Sequence, residues 1–321
     1  MGVKPSLRPA LREEDAAMPP PPPAESGHSI PASANQPRLR TVLAPNATPL
    51  TYRGTNTYIL GSGHVAIIDP GPDIPAHLTA ILAALAPDER VSHILVTHPH
   101  RDHSALAPAL SAATAAPISA FGTATDGRSP RMQDLAAAGL ASGGDGLDHI
   151  FLPDQRLQDG DILIGPDWQI TALHTPGHLG SHLCYSAGNW LFSGDHVMGW
   201  SSSVISPPDG DMRAYMAALH RLDRPDWALF LPGHGDPIHR PQYRVRALIT
   251  HRQQREAQIL AALSQGAATA DSLTQTLYRD LPPPLLPAAR QNVLAHLIDL
   301  HEKNRIHTPN PFTLASQFHL I

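Results

Sequence analysis

Thr97-His98-Pro99-His100-Arg101-Asp102-His103 places four potential metal ligands within six residues. The apolar run Ile94-Leu95-Val96 directly precedes it, which puts the cluster in the loop at a strand end. Loops held by a rigid sheet are where catalytic groups concentrate. Three later segments repeat the arrangement. Thr175-Pro176-Gly177-His178 follows the run Ile170–His174, Phe192-Ser193-Gly194-Asp195 follows Leu191–Ser193, and Leu231-Pro232-Gly233-His234 follows Leu229–Leu231. Each sets one His or Asp just beyond a Gly at the end of an apolar strand. A turn with one solvated polar residue explains any single case, but not four in one chain. If the strands share a sheet, their loops open on one edge. His98, His100, Asp102, His103, His178, Asp195 and His234 are therefore the candidate ligands.

Working outward, short runs bounded by Gly, Pro, Asp or Ser read as strands: 57–60, 65–69, 93–97, 162–164, 168–174, 183–186, 190–193 and 227–231. Helix-like stretches at 74–86, 103–113, 132–141 and 212–222 lie between them. This alternation predicts a layered α/β architecture rather than an all-β barrel. After Pro241 the character changes. Residues 244–263 read as one long helix with Val245, Leu248, Ile249, Ile259, Leu260 and Leu263 apolar, followed by helices at 270–278 and 285–302. The expected division is a tail over 1–37, a catalytic domain over 38–240 and a small helical domain over 241–321.

Composition sets outer limits. The chain has 321 residues, 42% of them hydrophobic, enough for one large domain and an appendage. No apolar run approaches the ~18 residues of a membrane span. The first thirty residues hold no apolar stretch of signal-peptide type, and Glu13, Glu14 and Asp15 break the acid-poor pattern of a mitochondrial presequence. Cys184 stands alone, which excludes an internal disulfide. A soluble cytoplasmic protein is expected. Residues 1–37, with the run Pro19–Pro23 at their centre, are too poor in apolar side chains to offset ordering entropy and are expected to be disordered. There are 20 His, and those outside the four segments, such as His28, His64, His149 and His239, are read as incidental.

The order HxHxDH…H…D…H resembles the metallo-β-lactamase superfamily. The resemblance implies an αββα sandwich and two metal ions, zinc in the first place, with iron or manganese compatible with the same donors. It implies that His98, His100 and His178 hold one ion, that Asp102, His103 and His234 hold the other, and that Asp195 bridges them. Two such ions share a water and lower its pKa toward neutrality, giving hydroxide as the nucleophile of a hydrolase. Asp102 and Asp195 are then the catalytic carboxylates. Asp69 matches a position that orients ligands, and His182 is a candidate either for that role or for touching substrate.

Gly54-Thr55-Asn56-Thr57-Tyr58, Arg101, the stretch Ser193–Trp200, its continuation through Met212 and His251-Arg252-Gln253-Gln254-Arg255 are similar to the beta-lactamase-like protein 2 family. That family ends in a winged-helix-like domain and includes endoribonucleases acting on single-stranded RNA. Pro99 and Ala105-Leu106 depart from its pattern of an aromatic residue between the first two histidines and Gly-Gly after the motif. Charge points the same way as the family. Residues 240–321 carry 9 Lys+Arg against 5 Asp+Glu, a balance of +4, and the remainder carries 14 against 23, a balance of −9. Arg240, Arg244, Arg246, Arg252 and Arg255 form a basic stretch, and Arg252 and Arg255 are the expected substrate contacts. Single-stranded RNA is thus the first substrate reading. A small ester or thioester, as for hydroxyacylglutathione hydrolase, is the second. A nucleic-acid-binding protein without activity is the third, and seven intact ligands argue against it.

Overall fold

A computed structural model describes residues 37–141, 146–308, 312–313 and 315–321, with the backbone of Ser29–Ile30. Seven strands form the first sheet in sequence order: β1 (Ser29–Ile30), β2 (Leu39–Leu43), β3 (Asn56–Leu60), β4 (His64–Ile68), β5 (Arg90–Leu95), β6 (Ile118–Ala120) and β7 (Gln155–Arg156). Five form the second, in the order β12 (Leu229–Pro232), β11 (Trp190–Gly194), β10 (Leu183–Ala187), β9 (Gln169–His174) and β8 (Ile162–Ile164).

Alternating side chains assemble the layers. Tyr58, Leu60, Ala66 and Ile68 of the first sheet meet Leu183, Tyr185, Phe192, Leu229 and Leu231 of the second in one core between the sheets. Their neighbours Ile59, Val65 and Ile67 face outward onto Ile81 of α1 (Pro75–Ala83) and Leu110 of α3 (Ala107–Thr114). On the far side, Cys184, Leu191 and Phe230 face Met212, Tyr215 and Leu219 of α5 (Met212–Leu222) and Val245, Leu248 and Ile249 of α6 (Pro241–Leu263). Helices on both outer faces of two packed sheets make the expected αββα sandwich.

A second core joins Ile259 and Leu263 of α6 to Leu273 of α7 (Ala270–Leu277) and to Val293, Leu294, Leu297 and Ile298 of α8 (Leu286–Glu302). The short pair β13 (Ile306–His307) and β14 (His319–Leu320) completes this winged-helix domain, and Met132 and Leu135 of α4 (Pro130–Ala137) pack on it. Helix α6 therefore belongs to both cores and ties the two parts together.

Three expectations change. Residues 103–113 are not one helix: α2 (Arg101–Ser104) ends and α3 begins at Ala107, where Pro108 occupies the first turn and cannot donate to a preceding carbonyl. Ser29–Ile30, inside the stretch expected to be a disordered tail, form a strand because their backbones pair with Arg40 and Leu39. The other residues before Pro37, the polyproline run among them, lie outside the described residues. The basic stretch is the third, taken up below. No helix among the described residues is long and apolar enough to cross a membrane.

Candidate metal centre

The ligand loops meet because their strands run the same way. Strands β4 and β5 are parallel, as are β11 and β12, and β9 shares the direction of β11 through two antiparallel pairings. Asp69 and the His98–His103 loop therefore leave the first sheet at the edge where His178, Asp195 and His234 leave the second.

All seven expected ligands come together. His98 Nε2 and His178 Nε2 lie 2.9 and 3.0 Å from His100 Nδ1. His234 Nε2 lies 3.1 Å from Asp102 Oδ2 and 3.3 Å from His103 Nε2. Asp195 stands between the groups, with Oδ1 3.5 Å from His103 Nε2 and Oδ2 3.8 and 3.5 Å from the Nε2 atoms of His178 and His234. Three overlapping sets of ligand atoms can each enclose an ion: His98, His100 and His178; His98, His103 and Asp195; Asp102, His103 and His234. The Asp102 side chain is 28% exposed against 11% for Asp195, so the mouth of the site opens on the Asp102 side.

Outer partners fix which nitrogen of each ring faces inward. Thr97 donates from N and Oγ1 to the two oxygens of Asp69, at 2.7 and 2.9 Å. Its hydroxyl proton is thereby committed, so Oγ1 accepts from His98 Nδ1 at 2.9 Å and leaves His98 Nε2 a lone pair. His103 Nδ1 donates to Asp69 Oδ2 (2.9 Å), His178 Nδ1 to Val204 O (2.7 Å) and His234 Nδ1 to Gly54 O (3.1 Å). In the neutral forms of these four rings Nε2 then presents a lone pair to the centre, which His100 faces through Nδ1 instead. Asp69 thus bonds both Thr97 and His103, from a left-handed backbone position (φ 52°) that a short polar side chain tolerates. His182 is fully buried and stacks on His98 at 5.0 Å, with Nδ1 3.0 Å from Thr175 Oγ1. Of the two roles open to it, packing against the His98 ring fits this burial and touching substrate does not.

The glycine before His234 has a steric reason. A Cβ at Gly233 would stand 2.5 Å from His103 Cε1 and 2.7 Å from Asp195 Oδ1, so only glycine lets the ligands close.

Charge separates the rings. Burial and neighbouring histidines hold His98 well below its ordinary pKa, and burial with the His178 charge brings His100 to about 3. Burial opposes protonation of His234 too, but Asp195 and Asp102 overcome it and lift the ring to about 10. Asp102, Asp195 and Asp69 likewise overcome burial at His103 and raise it. The two carboxylates are held low in turn, burial notwithstanding, by His103 and His234. Asp195 Oδ1 is buried with no hydrogen-bond partner. An orphaned carboxylate oxygen among converging imidazole nitrogens fits a divalent cation, which would compete with protons for His103 and His234.

The basic stretch does not form one continuous surface: Arg240 and Arg246 are exposed, but the arginines expected at substrate are not. Arg252 and Arg255 are 1% and 8% exposed. Arg252 donates to Ser203 O at 2.5 Å and lies over the Tyr215 ring; Arg255 lies 4.1 Å from the Tyr278 ring centre. Arg244 is tied to the carbonyls of Met198 and Ser201, and Arg246 to Asp223. The expectation that Arg252 and Arg255 contact substrate is therefore corrected. Position 252 follows Val245, Leu248 and Ile249 by seven, four and three residues, on the face that α6 buries. Sequence reasoning also passed over Thr97, Val204 and the Gly54 carbonyl. Two of these act through backbone atoms, which carry no side-chain signal.

Residues 50–234 match the family described as the metallo-beta-lactamase superfamily, and residues 269–308 match the beta-lactamase associated winged helix domain. An atrochrysone carboxyl ACP thioesterase of Paecilomyces divaricatus is 31% identical over 233 residues, covering 71% of this chain and 65% of that protein. A beta-lactamase-like protein 2 homolog of Drosophila melanogaster is 30% identical over 275 residues, covering 83% and 88%. A metallo-beta-lactamase family protein of Thermus thermophilus shares the fold with a TM-score of 0.69 at 23% identity, over 88% of this chain and 98% of that one.

Proposed function

The chain belongs to the metallo-beta-lactamase superfamily and carries its associated winged helix domain, and from that premise we propose that it is a two-metal hydrolase of thioesters. The observation that carries the two-metal reading is Asp195, whose oxygens face ligands of both groups while one of them lacks any other partner. His98, His100 and His178 hold one ion, Asp102, His103 and His234 the other, and Asp195 serves both. Zinc is the ion proposed, since imidazole and carboxylate donors suit it; iron and manganese fit the same set. When bound, two ions at such a site supply an acidified water and Lewis-acid contacts to a substrate carbonyl.

The chain's own residues do the rest. Asp69, Thr97, Val204 and Gly54 keep the rings of His103, His98, His178 and His234 turned inward, and Asp102 stands at the mouth where substrate enters. No protein nucleophile is required. The Cys184 thiol is buried and pushed up to about 12, so it supplies no thiolate. A thioester suits such a site because its leaving group, a thiolate of pKa near ~8.5, departs without a buried acid to protonate it.

The substrate class rests on relatives named as acyl carrier protein thioesterases at 28–31% identity, with 65–75% of their lengths covered. Single-stranded RNA, the first expectation from family resemblance and charge, loses the support of Arg252 and Arg255, which are buried. The test is a panel: zinc-loaded protein with an acyl-pantetheine thioester, S-lactoylglutathione, end-labelled single-stranded RNA and nitrocefin. Thioester hydrolysis that stops on chelation supports the reading. Cleavage of RNA with no thioester turnover replaces it.

A further inference from the structure

Behind the metal centre, Ser203, Val204 and Ile205 form a strap with no regular secondary structure. On its inner side it meets two ligands. Val204 O accepts from His178 Nδ1 at 2.7 Å, and the Ser203 hydroxyl lies 2.5 Å from the carbonyl of Asp195 and 3.0 Å from that of His196. Tyr215 joins this knot, its hydroxyl 3.2 Å from His196 O and 3.3 Å from Ser203 Oγ. No sheet ladder fixes the strap, so its position depends on what grips it from outside.

That grip comes from helices of the C-terminal part. Arg252 of α6 donates to Ser203 O at 2.5 Å, and Asn292 of α8 accepts from Ile205 N at 3.0 Å. Both side chains are buried, Arg252 to 1% exposure. Burying a guanidinium is costly unless it is paired and fully bonded. Yet Arg252 makes no ion pair among the described residues, and its Nε has no hydrogen-bond partner. An apolar side chain would fill the position at lower cost, so stability gives no reason for an arginine there. Its contacts are the strap carbonyl and the Tyr215 ring, 5.4 Å away.

We propose that Arg252 and Asn292 are positioning residues for the metal ligands: by holding the Ser203–Ile205 strap they set the His178 ring and the Asp195 backbone, so that the winged-helix side is part of the metal site's construction. This rests on the two-metal reading above. Losing an outer partner of a ligand typically weakens metal binding by ~10–100-fold.

The test uses the full chain and cobalt(II) as probe, read by chelator competition and by the visible ligand-field spectrum, with circular dichroism to establish folding. Arg252→Met keeps the stem and removes the donors; Asn292→Leu removes the acceptor, and Asn292→Asp retains it. Arg255→Met is the control, a buried arginine of the same helix that does not touch the strap. The expected result is about 10–100-fold weaker cobalt binding and a changed spectrum for Arg252→Met and Asn292→Leu. Asn292→Asp and Arg255→Met should bind as wild type does. Wild-type affinity and spectrum in folded Arg252→Met and Asn292→Leu overturn the proposal, as does an equal loss in Arg255→Met. Should Arg252→Met fail to fold, the two Asn292 variants decide. Wild type binding no cobalt would instead overturn the metal reading itself.

Discussion

Replacing Asp69 by Asn leaves size and backbone almost untouched, because Asn tolerates the left-handed position (φ 52°) as Asp does. The chemistry changes at one atom. The carboxylate accepts three hydrogen bonds, from Thr97 N, Thr97 Oγ1 and His103 Nδ1. An amide keeps one oxygen, which Thr97 N takes, and turns its NH2 toward the other two. The Thr97 hydroxyl rotates to accept. His103 accepts only by moving its proton from Nδ1 to Nε2, the atom that faces the ions. The second site therefore loses a ligand outright, while the first keeps His100 and His178, with His98 less firmly held because the Thr97 hydroxyl proton is no longer committed. The loss expected is ~10–100-fold in affinity for one zinc ion, equivalent to about 1.4–2.7 kcal/mol. Zinc competition with a chromophoric chelator resolves the two binding steps. Asp69→Asn holding both ions as tightly as wild type would refute the tautomer argument.

Three further outcomes follow from the same geometry. Gly233→Ala should fold yet lose metal at both sites, since its Cβ would press on His103 and Asp195 together; elemental analysis of purified protein checks this, and full occupancy contradicts it. Arg40 grips Glu89 with bonds of 2.6 and 2.9 Å, both side chains being buried. Burial pushes the Glu89 carboxyl up, but Arg40, the Ala86 amide and Arg38 outweigh it and hold it below the usual range. That stability is fully present above the unfolded carboxyl pKa, near ~4.3, and is lost as pH falls through the lower folded value. Arg40→Met strands the carboxylate at a cost of about 3–5 kcal/mol at neutral pH; denaturant titration at pH 7 and pH 4 should show the penalty shrink in acid, and a pH-independent difference would be inconsistent with it. His234→Ala should empty mainly the second site, leaving about one ion per chain by elemental analysis; loss of both ions would show the sites are not separable.

Much of the site was legible because every ligand segment follows a short apolar strand, and His178, Asp195 and His234 each stand directly after a Gly. The need for that Gly is visible at Gly233, where any side chain would collide with two ligands. The layers were legible for a similar reason: Ile59, Val65 and Ile67 alternate with Tyr58, Leu60, Ala66 and Ile68 between two apolar faces. Strands β6 and β7, with three and two residues, are too short to show a period. The basic stretch misled because its charge was read without its spacing: Arg252 and Arg255 lie on the same stripe of α6 as Val245, Leu248, Ile259 and Leu263, which the helix buries along its length. The strap was invisible for a different reason. Its work is done largely by the carbonyls of Ser203 and Val204 and the amide of Ile205, groups every residue has.

The most direct test of the account is the metal content of the whole chain, measured by titrating zinc into metal-free protein while following thioester turnover. Two ions per chain should bind, with activity appearing as the second fills, and Asp195→Ala should weaken both steps because its carboxylate serves both groups. Saturation at about one ion per chain or fewer would contradict the two-metal site, as would an Asp195→Ala protein that takes up both ions unchanged.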